Sequence, residues 1–558
     1  MSMSSYETSG TDVTDEVKPT VLLEHVRFRY TAQEEPEATT SPSTPLVLDD
    51  ISFSLLPGEL LLIAGPSGCG KSTLLKCLNG LIPHTYSGNL SGEIRLNGQA
   101  INGISLRDLA RQIGTMLQDP DKQIVGSTVE QEIAFGMENL GVSRAQMRQT
   151  TQNVLQQLKL EAYRDRATHA LSGGQRQLVA AAGLLVMEPA IFLFDEPFAS
   201  LDSFAVDELE QLIHHLRQEG HAIIIVEHRV EEALRLDVNK VLLLDHGRQA
   251  FFGAVPAFLA RADPDQIKLP VASKLQQLGA SVSPQEVRKR LVTPIITGQS
   301  AREEKTTDAG DTILSFENIH YRYTTFSPEI LRGVSFQIRR GETIALLGPN
   351  GSGKTTLVKQ ALGLLRPTQG SIQLYGKESK KMSVARIAGQ VGYVFQYPGA
   401  MLYAPTVRQE VSFGPENLGF QGDQLTSTVE QALTAVNVQD FADQSPFTLS
   451  FGQQKRVTIA SILAMRSKIL LLDEPTAGQD YRSYIAFIEH IRRIPDLDAL
   501  LFITHDLDLA LRFTQRVLLL KDGRVEADGP PLEILRDQEL LQRCHLRPTS
   551  LLNYLMSS

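Results

Sequence analysis

The feature that most constrains this 558-residue chain is an internal duplication. The segment GPSGCGKST, which contains Lys71, recurs as GPNGSGKTT, which contains Lys354. Further along, LSGGQ recurs as LSFGQ, and its serine moves from Ser172 to Ser450, an offset of 278 (450 − 172). Because one hydrophobic core rarely organises this many residues, the repeat predicts two copies of one fold in a single chain.

The repeat divides the chain into four parts. We expect a loose polar tail over residues 1–20, a first domain over 21–255, an extension and linker over 256–311, and a second domain over 312–558. The first copy carries an extra polar loop, AQEEPEATTSPSTP, that the second copy lacks. The end of the linker, TPIITGQSAREEKTTDAGD, is rich in turn formers and has no helical period, which predicts flexibility.

Within each copy, short apolar runs alternate with helical stretches. ELLLIAG precedes the first glycine-rich segment and STLLKCLNGL follows it. Strands that alternate with helices in this way predict an α/β fold in both halves.

The composition excludes several classes of protein. The 54 basic and 64 acidic residues give a net charge of −10, which provides no global attraction to nucleic acid. The three cysteines show no spacing typical of a disulfide framework or a zinc site, which favours a reducing cytoplasm. No run approaches 18 apolar residues, so we expect any membrane-spanning segments to belong to other subunits.

Both glycine-rich segments match the phosphate-binding pattern G-x-x-x-x-G-K-[ST] between a predicted strand and a predicted helix. Backbone N–H groups and the helix N-terminus would bind phosphate oxygens, the lysine would neutralise the β- and γ-phosphates, and Ser72 and Thr355 would hold Mg²⁺. A single match could be a plain turn, but two in register favour ATP binding. The predicted ATP-binding residues are Gly65, Pro66, Ser67, Gly68, Cys69, Gly70, Lys71, Ser72, Thr73, Gly348, Pro349, Asn350, Gly351, Ser352, Gly353, Lys354, Thr355 and Thr356.

Two carboxylates end a buried-strand pattern in each copy, in IFLFDE and ILLLDE. Asp195 and Asp473 would support Mg²⁺, and Glu196 and Glu474 would polarise the attacking water. Acidic residues at a strand end are commonly solvated caps. Their fixed position after the glycine-rich segment favours catalysis instead.

A histidine and a glutamine complete each set. His228 and His505 follow further apolar strands, from which an imidazole can reach a γ-phosphate or the attacking water. Gln118 and Gln396 can contact both Mg²⁺ and that water. A lone histidine or glutamine would carry no weight, whereas two aligned pairs favour a catalytic role.

In this ordered set of motifs the chain resembles the ATP-binding-cassette (ABC) ATPases over nearly its whole length. The resemblance implies two tandem P-loop domains, each with a helical subdomain, in a pseudo-symmetric head-to-tail pair. Each ATP would lie between the P-loop of one half and the signature of the other. The implied signature residues are Ser172, Gly173, Gly174 and Gln175 in the first copy and Ser450, Gly452 and Gln453 in the second.

The same resemblance assigns further roles. Tyr30 and Tyr323 align with the aromatic residue that stacks on adenine. Asp202 and Asp480 align with the aspartate of the D-loop, although Gln479 stands where leucine is usual.

Two segments narrow the resemblance. QDPDKQIVGSTVEQEIAFGMENLG and APTVRQEVSFGPENLG are similar to the energy-coupling factor (ECF) ATPases of vitamin and metal importers, a group that includes fused double ATPases. The implied partners are a transmembrane coupling subunit and a substrate-binding membrane subunit, with the ATPase peripheral on the cytoplasmic face. YPGAMLY in the second copy departs from the DPDKQ pattern, so the two halves need not contact the membrane partner equally.

Two alternatives belong to other classes. A tandem ATPase acting on the ribosome, similar to the ABC-F factors, would place a long basic arm between the cassettes. Residues 256–311 instead contain eight basic and seven acidic side chains, which argues against that arm. An exporter half that supplies its own membrane spans is not expected, because no such span is apparent in the sequence.

One position departs from the signature pattern. Phe451 stands in LSFGQ where the first copy has Gly173. The start of a helix needs no positive φ that would exclude phenylalanine, so we interpret Phe451 as a variation rather than a lesion. Because signatures act in trans in this family, any effect should fall on the site built around Lys71 and Glu196.

Overall fold

The computed structural model describes residues 18–31, 45–199, 201–278, 311–492, 494 and 497–557. Three expectations concern residues outside these ranges: most of the polar tail, the extra loop of the first copy and the flexible end of the linker.

The first half is built on a ten-stranded sheet with the strand order β5-β4-β1-β2-β10-β9-β3-β8-β7-β6. Strand β3 pairs in parallel with β8 and β9, and β1 pairs antiparallel with β2 and β4, so a parallel core continues into an antiparallel flank. The strands are Val21–Tyr30 (β1), Leu48–Leu55 (β2), Leu60–Ala64 (β3), Gly88–Leu96 (β4), Gln99–Ala100 (β5), Ile113–Met116 (β6), Ile191–Asp195 (β7), Ala222–Val226 (β8), Lys240–Asp245 (β9) and Arg248–Gly253 (β10).

Helices cover this sheet, and α4 to α6 form a helical subdomain in which α4 packs on α5 and α6. Ser143 and Asp202 cap α5 and α7 by accepting a backbone N–H from the first turn, as helix N-termini require. The α-helices are Lys71–Leu78 (α1), Leu81–His84 (α2), Leu106–Gln112 (α3), Val129–Asn139 (α4), Arg144–Gln157 (α5), Gly173–Leu185 (α6), Ser203–Gln218 (α7), Val230–Ala233 (α8), Val255–Arg261 (α9) and Val271–Leu278 (α10).

The second half repeats this plan in two sheets, one ordered β12-β11-β14-β15 and the other β16-β17-β18-β13-β19-β20. In the first half the corresponding parts are joined by the pairing of Arg248 with Asp49. The strands are Thr312–Tyr321 (β11), Leu331–Arg339 (β12), Thr343–Leu347 (β13), Gln369–Leu374 (β14), Lys377–Glu378 (β15), Val391–Val394 (β16), Ile469–Asp473 (β17), Ala499–Ile503 (β18), Arg516–Lys521 (β19) and Arg524–Gly529 (β20).

The helices of the second half follow the order of the first, except that none in the described ranges corresponds to α2. They are Lys354–Ala361 (α11), Val384–Ala388 (α12), Val407–Asn417 (α13), Gly422–Ala435 (α14), Phe451–Ala464 (α15), Tyr481–Arg492 (α16), Leu507–Phe513 (α17), Pro531–Leu535 (α18), Gln538–Arg543 (α19) and Ser550–Ser557 (α20). None of the helices in the described ranges is both long and apolar enough to cross a bilayer.

The central strands explain where the functional residues lie. Every residue of β3, β8, β13 and β18 is buried, as expected for parallel strands covered on both faces. Full burial of each large aliphatic side chain stabilises the fold by about 1.5–3 kcal/mol. The carboxyl ends of these strands meet at one edge, where α/β folds bind ligands. The glycine-rich segments follow β3 and β13 at that edge.

The two halves also contact each other through their chain ends. Val271, in α10, joins the apolar cluster of the second half, and its N–H donates to Ser550 Oγ at 3.0 Å. In the other direction, the guanidinium of Arg547 donates to Asp207 Oδ1 and Glu210 Oε2 of the first half, both at 2.8 Å. Residues 256–278, predicted as an extension and linker, therefore include a helix that packs on the opposite half.

Candidate active site

Each glycine-rich segment wraps around its own lysine ammonium. Lys71 Nζ donates to the carbonyl oxygens of Gly65 and Pro66, both at 2.9 Å, and Lys354 repeats this arrangement with its own loop at 2.7 and 2.8 Å. A Cβ on Gly65 would lie 2.2 Å from the Leu244 carbonyl oxygen, so no other residue fits. The loops thus have the geometry of phosphate cradles at the N-termini of α1 and α11.

The strand-end aspartates lie beside these cradles. Thr355 Oγ1 donates to Asp473 Oδ2 at 3.1 Å, and the Tyr393 hydroxyl donates to the same oxygen at 2.7 Å. In the first half, Asp195 Oδ1 is buried without a hydrogen-bond partner among the described residues. Burial and the neighbouring Glu196 raise the pKa of Asp195 to about 7. A hard cation such as Mg²⁺ fits both places, because it prefers carboxylate and hydroxyl oxygens.

Glu196 has two partners on the first half. Gln118 Nε2 donates to Glu196 Oε2 at 2.6 Å, and His228 Nε2 lies 3.3 Å from Glu196 Oε1. Burial alone would raise the pKa of Glu196, but His228 and Lys71 outweigh it and the pKa lies below its usual value. The structure therefore joins the predicted glutamate, glutamine and histidine in one cluster.

Glu474 also lies beside a histidine of its own half, but its pKa is shifted in the opposite direction from that of Glu196. His505 Nε2 lies 3.4 Å from Glu474 Oε1 and 3.1 Å from Asn350 Oδ1. Burial and the adjacent Asp473 raise the pKa of Glu474 to about 8. Burial together with Lys354 holds the pKa of His505 well below its usual value.

A cavity of about 260 Å³ collects the predicted residues of the second half. Gln396 lines it, although the structure shows no bond from its side chain to Glu474 like the one between Gln118 and Glu196. Other residues lining this cavity are Tyr323, Lys354, Thr355, Thr356, Asp473, Glu474 and His505.

Both signature segments form the N-terminus of a long helix. Ser172 caps α6 and Ser450 caps α15, each accepting the N–H of a glutamine. Gln175 and Gln453 reciprocate, because their side-chain oxygens accept the serine N–H at 3.0 and 2.9 Å. These capping boxes satisfy donors at the helix end and fix the serine hydroxyls there.

Each D-loop aspartate accepts a hydrogen bond from the opposite half. Asp480 Oδ2 accepts the N–H of Ser67 at 3.1 Å, and Asp202 Oδ2 accepts the N–H of Asn350 at 2.8 Å. Each P-loop is therefore bonded to the D-loop of the opposite half.

The signature of the second half also lies against the first P-loop. A Cβ on Gly452 would stand 3.8 Å from Ser67 Oγ and only 2.7 Å from the Gly478 carbonyl oxygen. The aligned pair in the other direction, Gly174 and Asn350, is less close, because a Cβ on Gly174 would meet only its own half, at Ala205 Cβ (3.0 Å) and Leu201 Cδ2 (3.6 Å).

Phe451 packs on a glycine of its own half. Gly478 has φ +67°, and a Cβ there would lie 2.3 Å from the Phe451 ring and 3.0 Å from Gln118 Nε2. The aligned position in the first copy is Ser200, which lies outside the described residues. Phe451 thus has room only because residue 478 lacks a side chain, and its ring lies near Gln118 of the opposite half.

The two tyrosines occupy equivalent places beside the cradles. Tyr30 Oη is 3.2 Å from Thr73 Oγ1, and Tyr323 Oη is 3.2 Å from Thr356 Oγ1. Tyr323 is 55% exposed, so its side chain is accessible for stacking.

Sequence reasoning missed two contacts of the second site. Tyr393 holds Asp473, and Asn350 holds His505. Tyr393 aligns with Thr115 in the first copy, so no repeated motif marks it. The sequence assigns Asn350 only to phosphate binding, because its second partner is distant in sequence.

Comparison with known proteins agrees with this architecture. The model of the ABC transporter family matches residues 48–199 and 331–477. An ABC transporter ATP-binding protein of Bacillus cereus is 35% identical over 548 residues, covering 96% of this chain and 95% of its own. A protein of the same name from Caldanaerobacter subterraneus is 34% identical over 564 residues, covering 96% and 95%. The solved structure of cbiO1 from Clostridium perfringens, described as part of the ABC transporter complex cbiONQ, is 33% identical, with a TM-score of 0.39, and covers 44% of this chain and 100% of its own.

The fold and its motifs define a P-loop ATPase with two nucleotide-binding halves. The chain belongs to the ABC transporter family and is an ATP-binding, ATP-hydrolysing protein of that family.

Proposed function

We propose that this ATPase is the energy-coupling subunit of an ECF-type importer for a vitamin, a vitamin precursor or a metal ion. It acts on the cytoplasmic face of the membrane with a transmembrane coupling subunit and a separate substrate-binding membrane subunit. ATP with Mg²⁺ occupies two composite sites, and the substrate is selected by the membrane subunit. The division into domains 21–255 and 312–558 is part of this proposal.

One observation carries the proposal. The two segments similar to ECF ATPases, the second together with the preceding YPGAMLY, build matching surfaces beside the glutamine loops. Phe135 is 46% exposed and Val125 is 62% exposed in the first half, and the aligned Phe413 and Tyr403 are 49% and 55% exposed in the second. Exposed apolar side chains grouped at the same place in both halves are typical of a partner-binding surface.

Buried glutamates hold these surfaces in shape. Glu132 Oε2 accepts the N–H of Val125 at 2.8 Å and of Gly126 at 2.6 Å. The aligned Glu410 Oε2 accepts the N–H of Tyr403 at 2.8 Å in the same way. Each loop is therefore preorganised to receive an apolar helix of a membrane subunit, close to Gln118 or Gln396.

The chemistry of the cycle follows from the residues of the two sites. ATP and Mg²⁺ would supply charge that joins a P-loop of one half to a signature of the other. Glu196 and Glu474 would each take a proton from the attacking water, with His228 and His505 holding them in place. Loss of the γ-phosphate contacts would let the halves separate, and the surfaces beside the glutamine loops would transmit that movement.

Affinity purification of the full chain from native membranes tests the proposal. We expect a polytopic membrane protein to copurify, and we expect Phe135→Asp combined with Phe413→Asp to lower its recovery at least about tenfold, because aromatic anchors dominate such interfaces. Phe326→Asp is the matched control, since Phe326 is 99% exposed and lies outside both surfaces. Recovery with ribosomes and without any membrane protein would support the ABC-F alternative and overturn the importer proposal.

A further inference from the structure

A lysine buried in the signature helix of the second half has no counterpart in the first. Lys455 lies on α15, five residues after Ser450, and is 0% exposed. Its ammonium donates to three backbone carbonyl oxygens, those of Phe395 at 2.6 Å, Gln396 at 2.9 Å and Asp473 at 3.2 Å. All three N–H donors of the ammonium are therefore used.

These carbonyl groups belong to two different functional segments. Phe395 and Gln396 begin the glutamine loop after β16, and Asp473 ends β17. β16 and β17 are neighbours in the parallel sheet, so their carboxyl ends lie side by side. Lys455 thus connects the signature helix, the glutamine loop and the strand-end carboxylates of one half.

Burying the ammonium of Lys455 costs free energy, which indicates that the residue has a function. Burial lowers the pKa of Lys455 to about 8, although Asp473 and Glu474 oppose the shift. No carboxylate oxygen accepts a hydrogen bond from Lys455 in the described structure. A buried charge held only by backbone carbonyls is expensive to keep unless its position is needed.

In the first half, the position aligned with Lys455 carries a different residue with a different hydrogen bond. The aligned residue is Gln177, whose Nε2 donates to the Pro197 carbonyl oxygen at 2.5 Å, and within the described residues no hydrogen bond joins its side chain to the glutamine loop. There the glutamine loop is held instead by its side chain, since Gln118 donates to Glu196. In the second half Gln396 is held through its backbone, and its side chain lines the cavity with Thr355 and Asp473.

We propose that Lys455 is a positioning residue of the site built around Lys354, where it fixes the glutamine loop to the strand end that carries Asp473 and Glu474. It acts in cis, on its own half, although the N-terminus of the same helix faces the site of the opposite half. The two ATP sites are consequently not equivalent. This inference rests on the assignment of Gln396, Asp473 and Glu474 to an active site under the proposed function.

The test measures one site at a time in the full chain. In a Glu196→Gln background only the Lys354 site turns over, and there we expect Lys455→Met to lower kcat by about 10- to 100-fold and to raise the Mg²⁺ concentration for half-maximal rate. KM for ATP should change less than about twofold, because the P-loop is not touched. Lys455→Gln introduces the residue found at the aligned position of the first half. Its kcat should lie between that of the chain with Lys455 and that of Lys455→Met.

The matched measurement places Lys455→Met in a Glu474→Gln background, where only the Lys71 site turns over. We expect a change of less than about threefold there, because Ser450 and Gly452 stay at the helix N-terminus. Equal losses at both sites, or an unchanged Mg²⁺ requirement, would show a merely structural role and overturn the proposal. If Lys455→Met does not fold, Lys455→Gln gives the same comparison.

Failure of the site assignment is recognised separately. If the site assignment is wrong, the chain that carries Glu196→Gln and Glu474→Gln but keeps Lys455 will show full ATP turnover.

Discussion

Glu196→Gln combined with Glu474→Gln is expected to lower ATP turnover by about 10²- to 10⁴-fold, the contribution of a general base. Both glutamates follow a fully or nearly buried strand, at φ +49° and +45°. Each faces a histidine of its own half, at 3.3 and 3.4 Å. Glutamine keeps the size of the side chain and removes its basicity, so ATP binding should persist.

Steady-state ATP hydrolysis and equilibrium binding of ATP measure the two properties separately. Each single substitution is expected to leave the other site working and the double substitution to silence both. Turnover that stays unchanged in either single variant would show that the corresponding glutamate is not catalytic.

Lys268→Ala is expected to lower the free energy of unfolding by about 3–5 kcal/mol, the cost of breaking a buried ion pair from one side. Lys268 Nζ lies 3.1 Å from Asp506 Oδ1 and 3.0 Å from Asp508 Oδ2, and the side chains of the three residues are 9%, 16% and 9% exposed. Removing the ammonium leaves two carboxylates without their cation at the junction of the halves.

Denaturant unfolding of the full chain measures this loss. Lys159→Ala is the matched control, because Lys159 lies 3.1 Å from Glu208 Oε1 but its side chain is 70% exposed, and such pairs contribute about 0–1 kcal/mol. A loss below about 1 kcal/mol for Lys268→Ala, equal to that of the control, would contradict the role given to this pair.

The loss of unfolding free energy caused by Lys268→Ala should depend on pH, and the pKa values of the paired groups give the direction. Burial alone would raise the pKa of Asp506, but Lys268 outweighs it and the folded pKa lies below the ordinary 3.8. The pair therefore stabilises the fold above that value and stops doing so as the pH falls through the folded pKa. The pKa of Lys268 lies well above 10.5 despite its burial, because Asp506 and Asp508 face it, so the difference should hold across neutral pH.

The local sequence pattern was sufficient to predict where most of the active-site segments lie. The apolar run before Gly65 became β3, and the helix after it begins at Lys71, because a parallel strand followed by a glycine turn leaves few alternatives. The α/β class followed from the same alternation and is confirmed. The residue roles assigned to the two sites remain predictions.

Contacts between distant segments were beyond sequence reasoning. Nothing in VASKLQQL indicates that α10 packs on the opposite half, because its apolar stripe fits any apolar partner. No local pattern indicates the contacts of Lys455, since only the folded sheet brings the carbonyls of Phe395 and Asp473 to its ammonium. The fit of Phe451 likewise depends on Gly478, a residue outside its motif.

Occlusion of ATP tests most directly the central claim that each site crosses the duplication. In the chain carrying Glu196→Gln and Glu474→Gln, ATP retained through a desalting column should reach two molecules per chain, because hydrolysis cannot open the sites. Adding Lys71→Ala with Ser450→Arg damages one composite site twice, so one retained molecule is expected. Adding Lys71→Ala with Ser172→Arg damages both sites, so none is expected. The reverse order of these two results would contradict the head-to-tail arrangement.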